Sequence, residues 1–156
     1  VAMLLGEDAV ARNAAARGLA LATATRYPQW RTHLLIVDGI AAYYLGDAAD
    51  AIPLLEEALT ITAMHPVAHL YLAYAYRRYR DYARASAHAA RTLVLLANSE
   101  HPNRETLIRL AREEIARLAA NPIADDPTMI AAISPADAAA VFGMLLQPKR
   151  EPSPRD

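Results

Sequence analysis

Apolar residues recur at helical spacing along most of the chain, and Gly, Pro and Asp mark the breaks. Ala11, Ala15, Leu19 and Ala22 form one apolar face behind the acids Glu7 and Asp8, which predicts a helix over 7–25. Arg26-Tyr27-Pro28 ends it, and a second helix is expected over 29–45. Gly46 closes that helix, and Asp47 or Asp50 caps the next, which runs to about Met64. Pro53 is awkward inside a helix; if Asp50 is the effective cap, it lies in the first turn, where its missing N–H costs little. Pro66 starts a helix to Tyr79, and Asp81 caps one over 82–97. After the turn Asn98 to Asn103, residues 104–120 read as one long helix with Leu107, Leu110, Ile115 and Leu118 on its apolar side. Asn121-Pro122 stops it. A short helix through Ile133 and a last helix opened by Ser134-Pro135-Ala136-Asp137, running to about Leu146, complete the set. Residues 148–156 read as a charged, Pro-rich disordered tail. No stretch sustains the two-residue alternation of a strand, so the expected class is all-α.

The pattern also repeats. Gly39, Ala51 and Leu59 map onto Ala73, Ala85 and Leu93 at one constant spacing, and a period of about 34 residues is that of a helix-turn-helix unit. Tyr44-Leu45-Gly46-Asp47-Ala48-Ala49-Asp50-Ala51 lies over Arg78-Tyr79-Arg80-Asp81-Tyr82-Ala83-Arg84-Ala85. Small residues at Gly39, Ala51, Ala73 and Ala85 allow two helix backbones to approach closely, with larger residues filling the flanks. A fainter echo of Gly46 to Ala51 stands at Gly6 to Ala11, at a longer spacing.

This period and these small residues resemble the tetratricopeptide repeat (TPR) family. In the first unit the family's positions fall on Leu35, Asp38, Gly39, Ala42, Ala51, Leu55, Ala58 and Leu59, and in the second on His69, Leu72, Ala73, Tyr76, Ala85, Ala89, Thr92 and Leu93. The sequence departs from the pattern at Asp38, Ala42, Ala89 and Thr92, and in the placing of the closing prolines, Pro66 being late in the unit. The resemblance implies a TPR-like helix-turn-helix solenoid: one domain over residues 1–147, clear repeats at about 32–65 and 66–99, and capping helices over about 103–147. One unit cannot bury its apolar face alone, so the flanking helices must complete the core. Residues 7–25 read as the second helix of an incomplete unit whose apolar face, with Val10, Leu19 and Leu21, needs a cover; a homodimer would supply one.

Composition narrows the function. The formal charge is −1, which gives no global case for nucleic acid. There is no cysteine, hence no disulfide and no thiolate chemistry. Lys149 is the one lysine among 16 basic residues, an arginine bias that fits a GC-rich bacterial genome. No apolar run reaches the length of a membrane span, and no signal peptide is visible, which makes the cytoplasm the default expectation, with a removed signal left open.

Candidate chemistry is sparse. His65 and His69 stand four apart, but Pro66 puts His65 at the helix start, so they read as turn or surface histidines rather than metal ligands. Ser86 and His88, two apart, do not share a helix face. Glu56-Glu57 and Glu113-Glu114 read as solvated faces. No nucleophile elbow, phosphate loop or dinucleotide fingerprint is present, so no enzyme activity and no cofactor are expected. One asymmetry stands out: no Lys or Arg lies between Thr32 and Tyr76, whereas five Arg accompany Asp81 alone between Arg77 and Arg91. The reading preferred for these arginines is a solvated helix end with i,i+4 pairs such as Arg77 with Asp81. An acidic protein segment ranks next and RNA last.

In TPR proteins the first helices of successive units line a concave groove. The resemblance puts Ile36, Ile40, Tyr43 and Tyr44, then Leu70, Tyr74, Arg77 and Arg78, at the corresponding positions. Leu70 and Tyr74 stand where carboxylate-clamp TPR domains carry Lys and Asn, which argues against a clamp. The expected partner is an apolar or aromatic protein or peptide segment, with Arg able to meet an acidic group at one rim. On this reading the protein is a scaffold or a chaperone-like adaptor, of the kind that serves bacterial type III secretion. Two alternatives stay open: the eight side chains are core against a neighbouring helix or are covered by the C-terminal segment, or the chain is a structural or oligomerisation module cut from a longer solenoid or self-associating.

Overall fold

The computed structural model describes Arg12, Asn13, Ala16, Arg17 and residues 28–120 and 134–146. Six helices account for nearly all of the two long stretches: α1 (Pro28–Tyr44), α2 (Ala48–Ile61), α3 (Pro66–Arg78), α4 (Tyr82–Ala97), α5 (Arg104–Ala120) and α6 (Pro135–Leu146). No strand occurs among the described residues. The expected helix over 7–25, the short helix through Ile133 and the tail lie outside them for all but the four residues between 12 and 17.

Each helix from α1 to α5 packs on the next, forming two antiparallel hairpins followed by a single helix. The odd-numbered helices also meet, α1 on α3 and α3 on α5. Thus α1, α3 and α5 make one layer, with α2 and α4 outside it. The core runs through this layer: Leu35, Ile36, Tyr43, Leu70, Leu72, Tyr74 and Leu107 are fully covered.

The two hairpin turns repeat each other bond for bond. Leu45, Gly46 and Asp47 donate backbone N–H to Ala41, Tyr43 and Ala42; Tyr79, Arg80 and Asp81 donate to Ala75, Arg77 and Tyr76. Every donor and acceptor of the first set maps onto its counterpart at the spacing of the sequence repeat. Gly46 and Arg80 both have positive φ, 86° and 63°, the left-handed residue that ends a helix in this motif. Asp47 then caps α2 by accepting from the N–H of Asp50, and Asp81 caps α4 by accepting from that of Arg84.

The small residues are at close crossings. A Cβ on Gly39 would stand 2.7 Å from Leu55 Cγ, and Ala51, Ala73 and Ala85 are completely buried. At α2 one open choice is settled and one expected boundary changes. Of the two expected caps of α2, Asp47 is the one used, so Pro53 is inside the helix rather than in its first turn. The i−4 carbonyl left without a partner is that of Ala49, and both residues are exposed, so water can serve it. Ile61 ends α2 short of Met64, which leaves 62–65 as the connecting loop.

Candidate binding surface

The eight groove candidates come together, but not as an open surface. Ile36, Ile40, Tyr43, Leu70, Tyr74 and Arg77 are buried; Tyr44 and Arg78 remain partly accessible. The first helices are close enough for the side chains between α1 and α3 to fill the space. Tyr43 stacks on Tyr74 at 5.8 Å between centroids, and Tyr71 meets Tyr43, Tyr44 and Tyr74 edge-on. The hydroxyls of Tyr44 and Tyr71 are 2.7 Å apart and share a hydrogen bond. Burial holds the phenols of Tyr71 and Tyr74 neutral, the first well above its ordinary pKa; for Tyr74 the nearby Glu114 carboxylate adds to the effect. Tyr74 Oη has no hydrogen-bond partner among the described residues. Tyr71 was not among the candidates; it stands one residue off the register that selected Leu70 and Tyr74.

Arg77 is placed differently from either sequence reading. Its Nε donates to Glu114 of α5, and both side chains are almost inaccessible. Arg117 donates to the other oxygen of Glu114 at 2.9 Å. Glu114 is therefore a buried anchor between α3 and α5, not part of a solvated face; Glu113 beside it pairs with Arg109 at the surface. The expected Arg77–Asp81 pair is replaced by Arg84 with Asp81. The i,i+4 rule sees one helix only, and here a neighbouring helix supplies the better acid. Arg78 is half-buried, and its Nη1 is covered without a partner among the described residues.

A second polar cluster joins α2, α3 and α4. His69 is buried, not a turn or surface residue, and its ring partner is His88 rather than His65. His69 Nε2 lies 3.0 Å from the carbonyl of Ala63, which can only accept, so Nε2 carries the proton. Nδ1 of the neutral ring then accepts from His88 Nδ1–H at 2.9 Å. His88 also stacks on Tyr76, whose hydroxyl donates to Glu56, and Arg84 covers the Tyr76 ring. Burial lowers the pKa of both histidines; Arg91 lowers that of His69 further, and His69 that of His88, while Glu56 opposes the fall at His88. His65, at the N-terminus of α3, is edge-on to His33 instead.

Among the described residues no three His, Asp or Glu side chains converge as a metal site would require, and no helix is long and apolar enough to cross a membrane. A depression on the outer face of α5, lined by Glu105, Ile108, Arg109, Arg112 and Glu113, is open to solvent and mixes both charges. Asp38 accepts from Arg12 at 3.0 Å, and Arg12 also reaches Asp50 at 3.2 Å. No protein-family model, no curated protein and no solved structure matches the chain.

Proposed function

We propose that the chain is a TPR-like solenoid domain that binds a protein or peptide segment and catalyses no reaction, acting as a scaffold or chaperone-like adaptor. The observation that carries this reading is the internal repetition: two helix hairpins whose closing hydrogen bonds, positive-φ residue and Asp cap recur at one spacing, that from Gly46 to Arg80 and from Asp47 to Asp81. Stacked hairpins of this kind leave the layer of first helices as a ligand face. On that layer Tyr44 and Arg78 occupy equivalent positions and keep some access to solvent. The covered, unpartnered Nη1 of Arg78 is a donor suited to a carboxylate or carbonyl on a ligand. The deeper candidates, Tyr43, Leu70 and Tyr74, act as the floor rather than as contacts.

The test is selection of binders from a random peptide display library against the full chain. Enriched peptides should share a motif, and Arg78→Glu should weaken their binding at least about tenfold, the loss expected for a contact of about 1.4 kcal/mol, with the melting temperature held. If no peptide enriches, or enriched peptides ignore Arg78, the binding reading fails. The structural-module alternative, favoured at Tyr43, Leu70 and Tyr74 by their burial, then takes its place.

A further inference from the structure

We infer that α6 is an internal ligand of the first-helix layer, and that the external partner is an amphipathic helix of the same pattern, which displaces it. This rests on the reading of that layer as the ligand face. Ser134 starts α6 by accepting from the N–H of Asp137 at 3.1 Å, with Pro135 at the first position. From there α6 packs on α3 and α5, both members of the first-helix layer. Its buried side chains and its ion pair lie along one stripe. Val141 and Leu145 are fully covered, Met144 packs against the core, and Asp137 takes a hydrogen bond from Arg109 of α5. Asp137, Val141 and Leu145 are spaced i, i+4 and i+8, as in a helix bound in a groove.

Three features distinguish α6 from a helix that is part of the scaffold. Its covered side chains are few: α3 buries an unbroken run from Val67 to Arg77, whereas Val141 and Leu145 are the two buried on α6 among the described residues. Its polar anchor is at the surface, since Arg109 is about half exposed and is shared with Glu113. Gly143 weakens the helix in its middle but lets α6 approach Asn103, where a Cβ would stand 2.6 Å from the side-chain nitrogen. The segment from Asn121 to Ser134 joins α6 to α5. An external helix with an acid, then aliphatic residues four and eight positions later, would offer the same contacts, including the carboxylate for Arg109.

The experiment uses the full chain and a fluorescein-labelled peptide of residues 134–146 as the probe. Val141→Asp with Leu145→Asp loosens the internal copy. The expected result is binding of the probe to this variant at least about tenfold tighter than to the unaltered chain. Arg109→Glu added to the variant should cut that binding at least fivefold, and Asp137→Arg in the probe should restore it. Probe that binds both chains equally, binds neither, or ignores the charge swap overturns the inference. If the double variant fails to fold, amide exchange on the unaltered chain decides. Amides of α6 should exchange at least about a hundredfold faster than those of α3, and equal rates overturn the inference. Library peptides that bind through Arg78 while α6 keeps its protection would also overturn it, yet leave the peptide-binding reading standing.

Discussion

Replacing Glu114 by alanine separates the two roles the pair with Arg77 could have. Both side chains are almost inaccessible, and Glu114 accepts from Arg77 and from Arg117. Removing the carboxylate takes a buried acceptor and counter-charge away from the Arg77 guanidinium. Loss of one member of a buried pair typically costs about 3–5 kcal/mol. At about 3 °C per kcal/mol for a chain of this size, the melting temperature should fall by roughly 10 °C. Replacing both, as Arg77→Met with Glu114→Leu, removes the buried cation as well as its acceptor and fills similar volume. That variant should recover most of the loss and lie within about 1–2 kcal/mol of the parent. Urea titration followed by far-ultraviolet circular dichroism measures all three proteins, with the slope m checked for constancy. Added salt should change the single variant's deficit little, because water and ions barely reach the site. If Glu114→Ala unfolds within about 0.5 kcal/mol of the parent, the carboxylate is solvated and the α3–α5 contact is not held as described.

Three further outcomes follow from other contacts. Gly39→Ala should destabilise by about 1–3 kcal/mol, because its Cβ would meet Leu55 at the branch carbon; an unchanged urea midpoint would show that the crossing is looser. Arg80→Gly should stabilise by about 0.5–1 kcal/mol, since φ of 63° strains a side chain and not glycine; a lower midpoint would mean that the Arg80 side chain contributes more than the strain costs. Burial lowers the folded pKa of His69, His88 and His33 below the unfolded value near 6.5, so in acid the unfolded chain binds more protons. Stability should therefore be full above about pH 6.5 and decline below it. His69→Gln with His88→Gln should flatten that decline, and an unchanged slope between about pH 7 and 5 would refute it.

The helices from α1 to α5 could be read from the sequence almost to their ends, for local reasons. Gly46, Asp47, Asp81 and Pro66 act on the backbone within one turn, so their effect does not depend on distant contacts. The period of the repeat carried the pairing of helices too, because a small residue at Gly39 or Ala85 has one steric use in such a unit. Which faces stay wet depended on neighbours far away in the chain. Glu114 looked solvated beside Glu113; Arg117 of its own helix was within i,i+3 reach, but only the approach of α3 to α5 added Arg77 and buried the carboxylate. His69 and His88 form their pair across two helices, at a spacing no single-helix rule connects. Most of the groove candidates are buried, since α1 and α3 approach closely enough for four tyrosines to fill the gap. Local signals set where each helix begins and ends. Burial, and with it the charge state and reach of every polar side chain, is a property of the assembled layers.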